Sequence, residues 1–158
     1  MTPSGGAWNE AGQSEVPAVE LIQKLGYAYV PPDVLEAERD SLREVVLVGR
    51  LAAALKRLNP WISDDNVHKA VRAITGVQAA SLIEANGTVY TALTFGIALE
   101  QDRGDGRKGQ QVRFVDFDHP DQNDFLVTRQ FRVKGTKKHI IPDVVCFVNG
   151  IPLSIIEA

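Results

Sequence analysis

One cysteine in 158 residues excludes an internal disulfide and a multi-cysteine zinc site, and it agrees with a reducing compartment. Cys146 lies inside an apolar run, where a thiol is expected to be buried and inert. Long hydrophobic stretches are also missing. Runs such as Val144 to Val148 have the length of a strand, far below the roughly 20 residues that cross a bilayer, so no membrane span is expected. Met1 to Gln13 is rich in Gly, Ser and Pro but lacks the basic start and apolar centre of a secretory signal; it reads as a loose tail on a cytoplasmic protein. Positive charge is not in excess either. The net charge of −3 argues against a domain that grips nucleic acid tightly by itself. Gly104 to Gly109 lacks the Gly-Lys-Ser/Thr ending of a phosphate-binding loop and reads as a flexible hairpin loop. There is no internal repeat and no low-complexity tract.

What the chain does have is 44% hydrophobic residues, enough for the core of one domain at this length. Ser14 is a plausible N-cap, Glu15 falls in a first helical turn, and Val19, Ile22 and Leu25 follow at helical spacing before a stop at Gly26. From Val34 to Asn59 the pattern predicts an amphipathic helix with Val48, Leu51, Leu55 and Leu58 on one face, closed by Pro60. A third helix is expected from Ser63 to Gly76, with Val67, Ala70, Val71 and Ile74 inward, and a fourth from about Ser81 to Phe95.

After Ile97 the period becomes extended. Strands are expected near Ile97 to Glu100 and Gln111 to Phe117, separated by a polar loop over Gln101 to Gly109. A further, mostly half-buried strand alternates Phe125, Val127, Phe131 and Val133 with Leu126, Thr128, Gln130 and Arg132. Asp143 to Val148 and Ile151 to Glu157 flank Asn149-Gly150, a strong hairpin signal. The expected fold is α/β, or α+β in an elaborated form, with a helical first half and a mixed sheet flanked by helices.

The chemistry-bearing pattern is at the end: Pro142-Asp143 on one strand and Glu157-Ala158 on the next. Two converging carboxylates can hold Mg²⁺, which prefers oxygen ligands and keeps waters for a substrate phosphate. A bound ion then polarises a phosphodiester and activates water. Proline-aspartate followed by Glu-x-Lys is the signature of a large nuclease superfamily, and the lysine would be the residue after Ala158. The alternative for the bare pair is an Asp at a strand end serving as a turn or cap residue. A two-residue loop at Asn149-Gly150 would pair Val148 with Ile151 and send Asp143 and Glu157 to opposite faces. Sharing one metal therefore calls for an odd-length connection or a bulge beside Asp143.

Arg129, Arg132, Lys134, Lys137 and Lys138 form the one basic stretch, with no acid among them. It leads into Asp143, which favours DNA-backbone contact by Arg132, Lys134, Lys137 and Lys138 over a merely solvated strand edge. Asp116, Asp118, His119, Asp121 and Asp124 look like a metal loop at first sight, but their spacing fits no calcium loop, and solvated loop acids are the better reading. His68 and His139 read as polar surface residues.

Asp116-Phe117-Asp118, Asn123 to Val127, Gln130-Phe131, Val133-Lys134-Gly135, Pro142 to Val145 and Phe147 to Leu153 follow one another in an order and spacing that resemble the N-terminal domain of type I restriction endonuclease R subunits. Glu44 to Pro60 and Ser81 to Asn86 are similar to the same family, so the likeness covers roughly Glu15 to Ala158. It implies an endonuclease domain over residues 14–158, cut off at its C-terminus, with Asp143 and Glu157 as metal-binding carboxylates and Mg²⁺ as cofactor. Glu15 is the candidate for an additional helix-borne acid, beside the reading in which it serves only the helix dipole; Glu20 and Glu84 are weaker candidates. The resemblance further implies double-stranded DNA as substrate, ATP bound only by motor domains of the full-length subunit, and assembly with methyltransferase and specificity subunits. The competing reading is a non-catalytic DNA-binding or subunit-docking module on a nuclease fold.

Overall fold

Gly26 ends the first helix in the left-handed region, at φ 101, where the sequence puts its stop. The computed structural model describes residues 14–157; the tail expected over Met1 to Gln13 lies outside them, as does Ala158. By their contacts these residues divide into two units, one of residues 14–44, 125–147 and 152–157, the other of residues 45–124 and 148–151.

The first unit opens with helix α1 (Val16–Lys24), strand β1 (Ala28–Tyr29) and the short helix α2 (Pro32–Ala37). Val19 and Ile22 of α1 are buried with Val127, Val144 and Cys146, and Tyr27 packs against them. Leu25, expected on the same face, is 73% exposed because the helix ends at Lys24 and the chain turns away. The expected long helix from Val34 is not continuous. It is interrupted between Ala37 and Val48, where Arg39 is buried and donates to the carbonyls of Glu44 and Arg132 while its guanidinium stacks over the Phe131 ring at 4.2 Å. The local bond caps a carbonyl of this irregular segment and the bond to Arg132 ties it to a distant strand end, where a propensity reading would wind helix.

Strands β4 (Phe125–Arg129), β7 (Val144–Val148) and β8 (Ile151–Ile156) join β1 in one sheet of order β1-β4-β7-β8, with β1 parallel to β4 through Ala28↔Leu126 and Tyr29↔Val127. The sheet is mixed, and the chain is α/β as expected. The strand predicted to run from Phe125 through Val133 is two pieces: β4 stops at Arg129, Gln130 adopts φ 51, and Val133–Lys134 forms β5, paired with β6 (His139–Ile140) in a small sheet of its own. Leu126, Val127 and Thr128 are all buried. A strand covered on both faces loses the alternation that a half-buried strand would keep.

The second unit contains α3 (Val48–Leu58), α4 (Asp64–Thr75), α5 (Leu82–Phe95) and the hairpin β2 (Ile97–Asp102) with β3 (Arg107–Val112). Its core gathers Leu51 and Leu55 of α3, Val67, Ala70, Val71 and Ile74 of α4, and Val112 and Phe114. Burying the Val, Leu, Ile and Phe side chains among them stabilises by about 1.5–3 kcal/mol each. α4 and α5 start where expected, each with a serine cap: the Ser63 hydroxyl accepts from the Asn66 amide and the Ser81 hydroxyl from the Glu84 amide, whereas the cap position of α1 is Glu15 and not the expected Ser14. Glu84 returns the bond to the Ala80 amide, so the weak site candidate is a capping residue. The second strand expected over Gln111 to Phe117 lies earlier, at Arg107–Val112, and the ladder reaches Asp102↔Arg107 because the Asp102 carboxylate accepts the Gly104 and Gly106 amides and closes a shorter loop.

Between β7 and β8 lie only Asn149 and Gly150, at φ 51 and φ 80. Two positive φ angles are the signature of a primed two-residue turn, so the expected odd-length connection is not formed. The tip is not at the surface: Asn149 is fully buried, and a Cβ on Gly150 would lie 2.6 Å from the Leu47 carbonyl oxygen. The irregularity beside Asp143 is on the β4 side of β7, and it leaves the two-residue β7–β8 connection as it is. The consecutive amides of Gln130 and Phe131 donate to the carbonyls of Asp143 and Pro142, whereas a regular ladder points successive amides to opposite sides.

Candidate active site

Glu15 stands directly before α1 with helical angles, φ −66 and ψ −46, yet its side chain makes no cap hydrogen bond. Its carboxylate is instead buried, and Oε1 accepts a 2.8 Å hydrogen bond from Nε2 of Gln130. The same Nε2 lies 3.3 Å from Oδ1 of Asp143 and donates to it. Two of the acids singled out in the sequence, 128 positions apart in the chain (143 − 15), are thus brought onto one amide. Glu15 is delivered by the start of the helix and Asp143 by the bend before β7. Gln130 comes from the kink that ends β4.

Arg129 Nε faces the other Glu15 oxygen, Oε2, at 3.7 Å. That separation is a Coulombic contact and too long for a hydrogen bond, which is why both atoms are buried without a hydrogen-bond partner. A cation beside a buried carboxylate offsets the desolvation it suffers. That oxygen is thus buried beside one guanidinium and accepts no hydrogen bond.

Asp143 is half-buried, while Glu157 is exposed, past the last residue of β8. Both lie just outside the strands that carry them, so the strict alternation of a ladder does not fix their faces. Glu157 is not part of the Gln130 hydrogen-bonded group. Among the described residues no three His, Cys, Asp or Glu side chains gather closely enough to hold a metal. Mg²⁺ needs no such cage: one or two carboxylates with waters and substrate phosphate suffice.

Arg132, Lys134, Lys137 and Lys138 are exposed. β5 and β6 pair Val133 with Ile140 and Lys134 with His139, and the Gly135 amide donates to the Lys138 carbonyl, so a tight hairpin carries the lysines into solvent. Arg129, counted with them in the sequence, is drawn off to Glu15. Glu20 is exposed on α1.

In the acidic loop Asp118, His119 and Asp121 are exposed, as expected of solvated loop residues, and Asp124 is half-buried; Asp116 is the exception. Asp116 is buried and its Oδ1 accepts from the amides of Asp118 and His119, a turn closed by a side chain. Those bonds, the His119 amide first, hold its carboxyl below the usual carboxylate range. Cys146 is buried, and burial pushes its thiol up, away from the reactive thiolate. Sequence reasoning counted Arg129 in the basic stretch and Gln130 in the family resemblance but gave neither a place beside the acids, since nothing local ties either one to Glu15.

The chain matches the family model described as "Type I restriction enzyme R protein N terminus" over residues 8–158. It is 31% identical over 155 residues to a protein of Methanocaldococcus jannaschii described as the MjaIXP type I restriction enzyme endonuclease subunit, covering 94% of this chain and 15% of that one. It is 33% identical over 147 residues to the HindI type I restriction enzyme endonuclease subunit of Haemophilus influenzae, covering 88% of this chain and 14% of that one. A second M. jannaschii protein, described as the MjaVIIIP endonuclease subunit, is 41% identical over 145 residues, 88% of this chain and 13% of its own. The chain therefore spans only about a seventh of the length of these relatives.

Proposed function

This chain belongs to the type I restriction enzyme R protein N-terminal family, and on that premise we propose that it is the Mg²⁺-dependent nuclease domain of such a subunit. It cuts double-stranded DNA after ATP-driven translocation by the complete protein, in the cytoplasm, with methyltransferase and specificity subunits as partners. The observation that carries the reading is the convergence of Glu15 and Asp143 on one amide, with Glu15 Oε2 buried and without a hydrogen bond. A buried carboxylate oxygen left in that state suits a hard cation.

Asp143 and Glu15 would hold the ion, and Glu157, past the end of β8, is the further acid that the Pro-Asp and Glu-x-Lys pattern offers. The ion supplies positive charge for the phosphodiester and an acidified water. The chain's own residues do the rest. Arg129 and Gln130 keep the Glu15 carboxylate oriented, and Lys134, Lys137 and Lys138 offer exposed ammonium groups to DNA phosphates. Replacing those lysines by Ala is expected to weaken DNA binding alike for all sequences and to reduce the salt dependence by about 0.9 per lost phosphate contact.

The decisive experiment is Asp143→Ala, and separately Glu157→Ala, in the full-length subunit assembled with its partners. Cleavage is expected to fall by about a hundredfold or more while ATP hydrolysis persists, because a metal ligand is lost and a separate motor is untouched. Cleavage retained in both variants would leave the domain a DNA-binding or docking module.

A further inference from the structure

We propose that Gln130 is a positioning residue whose side-chain amide holds Glu15 and Asp143 together as a two-carboxylate clamp for a divalent cation. The inference rests on the metal-site reading above and goes beyond it in naming what builds the clamp.

The chemistry of the pair fixes which end of the amide is involved. Carboxylates accept hydrogen bonds, so only the NH₂ end of Gln130 can face both, and its two N–H groups match two acceptors, Glu15 Oε1 at 2.8 Å and Asp143 Oδ1 at 3.3 Å. A neutral donor between the two acids holds them together without itself adding charge, and the one cation at Glu15, Arg129, faces Oε2 at 3.7 Å, too far for a hydrogen bond. Gln130 meets each carboxylate at one oxygen, Glu15 Oε1 and Asp143 Oδ1. For Glu15, the second oxygen is buried with no hydrogen-bond partner.

The backbone of Gln130 argues independently. Its amide N–H donates to the Asp143 carbonyl at 2.9 Å, so Gln130 holds Asp143 by main chain and side chain at once. Its φ of 51 lies in the left-handed region, where a long unbranched side chain is uncommon. A non-glycine residue kept in that conformation points to a functional constraint. A strand that stayed regular through Gln130 would not send two successive amides to the Asp143 side. The kink and the clamp are one feature.

The test uses the full-length subunit without nucleotide and Mn²⁺ as the probe, with bound Mn²⁺ counted by electron paramagnetic resonance and folding followed by circular dichroism. Gln130→Gly removes the amide and accepts positive φ freely. It is expected to lower Mn²⁺ affinity at the domain site about tenfold to a hundredfold with an unchanged melting temperature. Gln130→Asn also tolerates the backbone but is one methylene shorter, reaches at most one acid, and should show a similar loss. Asp143→Ala should remove the site. If Asp143→Ala eliminates Mn²⁺ binding while both Gln130 variants bind as the native protein does, Gln130 is not a positioning residue and the metal reading survives. If Asp143→Ala also binds as before, the metal reading itself fails. Affinity that falls only in step with the folded fraction makes Gln130 structural and overturns the proposal.

Discussion

Gln130 and Asn149 share one backbone angle, φ 51, and put it to opposite uses. Asn149 is fully buried, and its side chain is used up inside the second unit: Nδ2 donates to the Phe114 carbonyl and to Asn123 Oδ1, while Oδ1 accepts from the Asp124 amide and from Arg57. Gln130 is exposed, and its amide goes to two acids in the first unit. Asn tolerates the left-handed region and Gln has no such preference. The turn at Asn149 is thus a place where local preference and tertiary contacts agree. At Gln130 they disagree, and disagreement of that kind marks functional sites.

The largest effect expected from this contrast is on stability. Asn149→Gly keeps the backbone conformation but leaves the buried Phe114 carbonyl and the half-buried Asp124 amide without their partner, and should destabilise by about 2–4 kcal/mol. Gly150→Ala should be comparably damaging, because the new Cβ meets the Leu47 carbonyl at 2.6 Å and the Leu51 amide at 2.9 Å with backbone on both sides. Urea unfolding checks both. A loss of under about 1 kcal/mol in each would mean that the turn is not an anchor.

That anchor was half legible. Asn-Gly between apolar runs announces a primed turn, and the turn is there. What the local sequence could not tell is that the tip is buried, with the Leu47 amide donating to the Gly150 carbonyl. Chemical reasoning had asked for a longer loop to bring Asp143 and Glu157 to one face, and turn chemistry prevailed. Helices α3 and α4 were read well over their apolar faces, since period and Ser63 capping act within a few residues. The break at Arg39 and the kink at Gln130 depend on partners more than 90 and 110 positions away, Arg132 and Glu15. No local pattern encodes such bonds. The acid pair itself was found in pieces, Asp143 from its motif and Glu15 from family resemblance, and only the fold unites them.

The comparison sharpens with the same exchange at the other site. Gln130→Gly should change stability by less than about 1 kcal/mol in either direction, since relief of the left-handed strain offsets the greater freedom glycine gains in the unfolded chain. Against the Asn149→Gly loss, measured in the same urea series, this separates a kink kept for a site from a turn kept for the fold. Equal losses at the two positions would erase the distinction.

The smallest effect concerns Asp116, whose turn is held by charge where the Asn149 turn is held by a neutral amide. The His119 amide donates to Oδ1 at 3.0 Å and the Asp118 amide at 3.1 Å, with Arg113 3.6 Å from Oδ2. These favour the ionised form, the His119 amide most, and burial opposes them; the carboxyl therefore sits below its usual range. A carboxyl depressed in the folded state binds fewer protons there than in the unfolded chain. Its contribution is complete above the unfolded value of about 3.9 and is lost as pH falls through the folded value. Asp116→Asn keeps an oxygen acceptor and removes the charge. It should be slightly less stable than the native protein near neutrality, and that gap should close on acidification below about pH 4. The Asn149→Gly gap, with no titrating group in it, should stay constant over the same range. Urea midpoints for the three proteins at neutral and acid pH measure both gaps. An Asp116→Asn gap that does not change with pH would show that geometry, and not charge, holds this turn.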